Sequence, residues 1–303
     1  MRGAVRILEP GPIDREILFL GSRKVSSFLV TGEVSALIGG GVAWGVTRLE
    51  EQLDQYSVDR NRLRYLVISH AHHDHCGAVP YLRRKYPHLE IVASDYCAHI
   101  LAKHQAVELM RGLNQRTLTH LGREPLHDGV SLEFEAIPVE HRVSDGDQLS
   151  LGGGLTLRFF DTPGHSRCSL SVYVPEKRAL FPGDALPYPE PGREGLTVTA
   201  NHDYADYLRS LEKLEPLVID LVAYEHGGVL AGGEARGIVA RGAQAAREQR
   251  ARIRKRYDEL GSLDMLVAET AEKLQSVELF RMVPAAAMSA IVGRMVRSAL
   301  EPD

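Results

Sequence analysis

A run of metal-type donors placed directly behind an apolar strand restricts this chain's fold more than any other feature. Residues 64–69, RYLVIS, read as a buried strand, and SHAHHDHCG (69–77) follows with no linker. A strand end is rigid, while the loop after it is free to curl around an ion. Neutral imidazole binds borderline metals such as zinc or iron, at about 2.0–2.1 Å for zinc. His70, His72, Asp74 and His75 are four ligand-type residues within six positions. They can supply two adjacent ions, with His70 and His72 facing one and Asp74 and His75 the other. His73 falls between them and is expected behind the ligands or at the surface.

Three later positions complete such a site. His165 lies in DTPGHS (161–166), where Pro and Gly turn the backbone sharply after the strand LTLRFFD (155–161). Asp184 ends RALFPGD (178–184), and its two carboxylate oxygens suit it to bridging two cations. His226 follows LVIDLVAY (217–224). Taken singly, each is weak. A lone histidine after a strand is ordinarily structural, and a Pro-Gly-Asp segment is ordinarily a turn. Seven such residues in order, each at a predicted strand end, make coincidence a poor explanation.

The surrounding pattern is α/β. ILFLG (17–21) and SSFLVTG (26–32) read as strands, followed by EVSALIGGG (33–41). Helices are predicted over 44–58 and 78–86, and a strand over 90–94. Residues 95–122 look like a helical insertion, a plausible wall for a substrate pocket. A second strand set is expected at 131–137 (SLEFEAI), 155–161, 169–174, 178–184 and 217–224, with a helix at 203–214 and no strand after Tyr224. From about residue 234 the chain turns rich in Ala, Arg, Glu and Gln, all good helix formers. Helices are predicted over 234–260, 263–276 and 285–300, with Pro284 suited to starting the last. The expected organisation is a core over 1–233 and a C-terminal helical cap over 234–303. Each core half runs strands into a ligand loop, which suggests a pseudo-symmetric pair of sheets.

Composition limits the partners. The 303 residues carry a formal net charge of -4, and the sequence pI is about 6.4. That balance argues against nucleic acid, which takes a basic face to neutralise phosphates. No apolar run of about 18 residues exists, so no membrane span is expected, and the N-terminal stretch does not read as a signal peptide. Three scattered cysteines, Cys76, Cys97 and Cys168, argue against a disulfide framework and for a reducing cytoplasm.

The order HxHxDH (70–75), then His165, Asp184 and His226, resembles the metallo-β-lactamase superfamily over about residues 15–230. The resemblance implies an αββα sandwich and a hydrolase that activates water between two divalent metal ions. Zinc and iron both suit the donors, and manganese is possible. It assigns His70, His72 and His165 to the first metal, Asp74, His75 and His226 to the second, and the bridge to Asp184. Asp74 is also the catalytic candidate, able to orient the nucleophile or carry a proton. One departure stands out: the family's LIDTG segment is LIGGG here, with Gly39 in place of the aspartate.

A narrower resemblance, to quinolone-signal-response thioesterases, is carried by YLVISHAHHDHCGAVPYL (65–82), AVELMRGLNQRTL (106–118), ILEPGPIDREILFLG (7–21) and the helical tail. It implies an acyl-CoA-type thioester substrate. Two alternatives stay open: a lactonase or esterase of the same fold, acting for example on a homoserine lactone, and a regulatory protein that keeps a metal site. For an oxygen leaving group Tyr188, His202, Tyr224 or Glu225 could assist, though each reads first as pocket wall, solvated loop or structural hydrogen bond. The regulatory reading looks to a homodimer or protein partner on the Arg-rich helix at 247–259, whose plainer explanation is a solvated face with pairs such as Glu248–Arg252.

Overall fold

The computed structural model describes residues 5–189, 195–276 and 285–302. The chain opens with β1 (Val5–Ile7), β2 (Gly11–Pro12), β3 (Ile17–Ser22), β4 (Val25–Thr31), β5 (Ser35–Ile38), α1 (Val46–Gln55) and β6 (Leu63–Val67). Next come α2 (His73–Cys76), α3 (Val79–Lys85), β7 (Glu90–Ser94), α4 (Asp95–Ala102) and α5 (His104–His120). The short pieces β8 (Leu126–His127), β9 (Val130–Ser131) and β10 (His141–Val143) lead to β11 (Gln148–Gly152), β12 (Leu155–Asp161), β13 (Leu170–Val174) and β14 (Ala179–Phe181). The chain continues through α6 (Tyr204–Leu214), β15 (Leu221–Tyr224), β16 (Gly228–Ala231), α7 (Ile238–Leu260), α8 (Leu263–Gln275) and α9 (Ala285–Leu300). Pro284, expected to start the last helix, lies outside the described residues.

These strands form two seven-stranded sheets, ordered β10-β7-β6-β5-β4-β3-β2 and β1-β16-β15-β14-β13-β12-β11. Period-two alternation explains how the first sheet buries both faces. Phe19, Phe28, Val30, Ile38 and Val67 point towards the second sheet, where they meet Phe159, Val172 and Phe181. Leu20, Leu29, Leu37 and Leu66 point the other way, into a core with Leu49, Leu53, Tyr81 and Leu101 from α1, α3 and α4. The outer face of the second sheet packs Tyr173, Leu180 and Tyr224 against α6 and the C-terminal helices, through Tyr207, Ile238, Val239, Met288 and Val292. The result is the αββα sandwich with C-terminal helices that the sequence predicts. No helix among the described residues is long and apolar enough to cross a membrane.

Three expectations about strands need correction. SLEFEAI does not join a sheet: only Val130–Ser131 pairs, with Leu126–His127. Its alternation is real, since Leu132, Phe134 and Ile137 are buried, but side chains satisfy its backbone in place of a neighbouring strand. Asn114 donates to Leu132 O at 2.6 Å, Arg111 to Phe134 O at 3.0 Å, and Arg84 to Ser131 O and Glu133 O. A strand also follows Tyr224 after all. GVLA forms β16 between β15 and β1, too short for a pattern to announce. In LVIDLVAY only Leu221–Tyr224 is extended in the sheet; Val218 is exposed.

The Arg-rich face of α7 has a structural task. Arg250 and Arg254 donate to Ala299 O and Glu301 O and so cap the C-terminal end of α9. The expected Glu248–Arg252 pair stands at 3.8 Å.

Candidate metal centre

Strands β6, β12, β14 and β15 run in one direction within their sheets, and each ends at the same edge of the sandwich. Backbone bonds tie the two sheets together there. Leu170 N donates to Ser69 O at 2.8 Å, Ser26 N to Glu225 O at 2.8 Å and Gly227 N to Arg23 O at 2.7 Å. The loops that leave this edge bring all seven predicted residues into contact.

Glycines make the tight approaches possible. Gly164, before His165, has φ +129°, and a Cβ there would stand 2.3 Å from Tyr207 Cα. Gly183, before Asp184, has φ +55°, and a Cβ would stand 2.9 Å from Ser69 Cβ. These are backbone conformations that suit glycine. The turn reading of Pro-Gly-Asp also holds, since Ala185 N donates to Pro182 O at 3.1 Å and aims Asp184 inward.

The donors fall into three overlapping groups: His70, His72 and His165; His70, His75 and Asp184; and Asp74, His75 and His226. Within each group the ligand-type atoms lie within 4.8 Å of one another. His72 Nδ1 stands 2.9 Å from His70 Nε2 and 3.1 Å from His165 Nε2. His226 Nε2 is 3.0 Å from His75 Nε2 and 3.4 Å from Asp74 Oδ2. A single oxygen, Asp184 Oδ2, lies 3.3 Å from His165 Nε2, 3.4 Å from His75 Nε2 and 3.8 Å from His226 Nε2. Asp184 thus touches both flanking groups. His70, His75, His165, Asp184 and His226 are buried; the Asp74 side chain is 45% exposed and His72 also faces solvent.

Outer hydrogen bonds fix how the rings face. Carbonyl and carboxylate oxygens only accept, so the nitrogen opposite each must carry the proton. His165 Nδ1–H donates to Thr199 O at 2.9 Å, His226 Nδ1–H to Lys24 O, and His75 Nδ1–H to Glu225 Oε2 at 2.7 Å. Each ring then turns its Nε2 inward. Nε2 of His75 and Nε2 of His226 face one another at 3.0 Å, a contact that requires a proton or a metal cation between the two nitrogens. The donor-to-donor spacing fits a metal cation, because bonds of about 2.0–2.1 Å at tetrahedral angles put neighbouring donors roughly 3.3 Å apart.

The electrostatics agree with that reading. Burial pushes His70 and His165 below the ordinary imidazole range, which leaves them neutral and able to ligate. Burial also opposes a charge on His75, but Asp184, Asp74 and Glu225 outweigh it and hold the ring's proton tightly. In the same way His75, His226 and His165 overcome burial to hold Asp184 well below the usual carboxylate range. Where a proton is gripped this firmly by converging anions, a metal cation can replace it.

Two further groups belong to the site. Thr199 holds His165 through its carbonyl and Asp184 O through its hydroxyl at 2.9 Å. Lys24 contributes its carbonyl. Neither has a sequence signal, since any residue type supplies a carbonyl. Of the donors weighed for a leaving group, Tyr188 is buried with its ring 6.3 Å from that of Tyr224, and the Tyr224 hydroxyl donates to Pro187 O. Glu225 is buried and its carboxylate is engaged by His75 Nδ1–H. His73 turns away from the donors and lies beside Trp44 and Phe134. His141 lies elsewhere, paired with Glu90.

The family model for the metallo-beta-lactamase superfamily matches residues 20–226. Among curated relatives, a metallo-beta-lactamase fold-containing protein of Sulfurisphaera tokodaii is 28% identical over 171 residues, 56% of this chain and 62% of that one. An atrochrysone carboxyl ACP thioesterase of Aspergillus fumigatus is 26% identical over 203 residues, 67% of this chain and 50% of that one. The chain thus spans half to under two thirds of the length of these relatives. Among solved structures, a metallo-beta-lactamase family protein from Thermus thermophilus aligns with TM-score 0.61 at 19% identity, covering 96% of this chain and 92% of that one. At that identity the likeness speaks for the fold alone.

Proposed function

The chain belongs to the metallo-β-lactamase superfamily, whose members are generally hydrolases with metal sites, and on that premise we propose that it is a dinuclear metal-dependent thioesterase acting on an acyl-CoA-type thioester. The observation that carries the metal half of this reading is the pair of facing ring nitrogens, His75 Nε2 and His226 Nε2, 3.0 Å apart and flanked by Asp74 and Asp184. We assign His70, His72 and His165 to one divalent cation, Asp74, His75 and His226 to a second, and Asp184 to both. Zinc and iron each suit this donor set. Such a pair supplies an activated water and a Lewis acid for the substrate carbonyl.

The chain's own residues account for the rest. Thr199 O, Lys24 O and Glu225 keep three imidazoles in the tautomer that points Nε2 inward. Asp184, buried and shared, keeps the two donor groups in register. Asp74 is a carboxylate with an open face, which supports assigning it to orient a nucleophilic water and pass its proton to solvent. A thiolate departs without strong protonation, so a thioester asks for no dedicated acid beyond these groups. The thioesterase among the relatives supports the substrate class, and the helices at 95–120 and beyond 234 are read as flanking and capping the entrance.

The test is metal analysis of freshly purified protein, coupled to thiol release from a panel of acyl-CoAs and ring opening of a panel of lactones. Two equivalents of metal with turnover of at least one acyl-CoA is the expected result. Turnover of lactones alone would replace the thioesterase with the lactonase; protein that takes up no zinc or iron would end the hydrolase reading.

A further inference from the structure

The hydrogen bonds around His75 lead out of the seven donors to a buried carboxylate. Glu225 is 2% exposed, and its Oε2 accepts from His75 Nδ1–H at 2.7 Å. Its backbone is fixed as well, because Ser26 N donates to Glu225 O at 2.8 Å. The carboxylate lies in a cradle that two glycines leave open. A Cβ at Gly39, where φ is +91°, would stand 3.0 Å from Glu225 Oε2; one at Gly183 would stand 3.7 Å from Oε1. Oε1 has no hydrogen-bond partner among the described residues. A buried carboxylate with one oxygen unsatisfied is destabilising by itself, so packing does not explain it.

We infer that Glu225 is a positioning residue for the metal centre, holding His75 by Nδ1 so that its Nε2 faces Asp74, Asp184 and His226. This rests on the metal-hydrolase reading. It also accounts for the departure at LIGGG. Gly39 follows a strand of the first sheet and Glu225 one of the second, yet both open onto the same space. The carboxylate that the family resemblance would place at position 39 is supplied from the opposite sheet. A Cβ at 39 would press on the Glu225 carboxylate at 3.0 Å, so a side chain there and glutamate at 225 compete for the same space. Glu225 acts through His75 and touches none of the other six donors in this way, so its effect should be confined to the cation that His75 helps to hold.

The experiment is a zinc titration of the whole chain, wild type and Glu225→Gln, against a chromophoric chelator that resolves successive equivalents. Glutamine keeps the shape but either accepts more weakly or presents its NH2 and reverses the imidazole tautomer. We expect one equivalent to weaken about 10–100-fold, the range for outer partners of ligating histidines, while the other stays within about twofold of wild type. Histidine 15N NMR of the metal-free protein should show the His75 Nδ1–H signal of the wild type shifted or lost in the variant. Two unchanged equivalents, or both weakened alike, would overturn the inference; a wild type that binds no zinc would instead defeat the metal reading beneath it. Glu225→Ala is the second variant and should show the same selective loss.

Discussion

Replacing Gly164 by alanine tests whether the loop that aims His165 is built on a backbone approach that only glycine permits. Gly164 O accepts from His202 N at 2.9 Å and Asp203 N at 3.0 Å, so the loop is locked to the start of α6. Asp203 also caps that helix, with Oδ1 accepting from Asp206 N at 2.7 Å. A new Cβ would stand 2.3–2.5 Å from Tyr207 Cα, N and Cβ, atoms that cannot swing aside as a side-chain tip can. The φ of +129° adds strain for any L-residue, about 1–3 kcal/mol. Displacing packed backbone adds roughly 1–3 kcal/mol more. Together these predict destabilisation of about 4 kcal/mol, read from urea unfolding followed by circular dichroism. A control is available at Gly122, which also has positive φ (+59°) but where an added methyl group would meet nothing within 4 Å. Gly122→Ala should cost only about 1–2 kcal/mol. If Gly164→Ala lost under about 1 kcal/mol, or no more than Gly122→Ala, the close packing of the His165 loop on α6 would not be what fixes that loop.

Three other perturbations address separate parts of the molecule. Asp184→Ala removes the oxygen shared by both donor groups and should weaken zinc binding by more than about 100-fold, beyond the loss seen for outer partners; equilibrium dialysis against buffered zinc measures it. Burial raises the phenols of Tyr204, Tyr207 and Tyr224, so above pH about 10 the unfolded chain gives up protons that the folded chain keeps. Stability is therefore full below that pH and falls above it, by about 4 kcal/mol at pH 11 for the three groups at roughly 1.4 kcal/mol each; urea midpoints from pH 8 to 11 would read the decline, and a flat profile would contradict it. Arg250→Ala leaves Ala299 O and Glu301 O with fewer donors and should cost about 2 kcal/mol, with faster proteolysis at the end of α9 as the visible sign.

Much of the fold was legible because its signals are local. Strands β3, β4 and β6 bury alternate faces in separate cores, as β12 does with Phe159 and Phe160, and that alternation is written in their residues. SLEFEAI carries the same alternation and is not a sheet strand, because pattern reports which side chains are buried and not what satisfies the backbone. There Asn114, Arg111 and Arg84 take the place of a neighbouring strand, and all three are distant in sequence. Strand β16 shows the converse: four residues with a glycine at the first carry too little pattern, and β15 and β1 on either side order them.

For the centre itself, the residue types and their positions after strands sufficed to pick out seven side chains that the fold brings together, because imidazole and carboxylate groups advertise their chemistry wherever they occur. The tertiary structure decided what lies behind them. The carbonyls of Lys24 and Thr199 and the carboxylate of Glu225 set which nitrogen of His226, His165 and His75 turns inward. That choice depends on contacts between residues up to 202 positions apart. A main-chain oxygen carries no mark of its neighbours until the two sheets close, so the sequence could name Glu225 but not the two carbonyls.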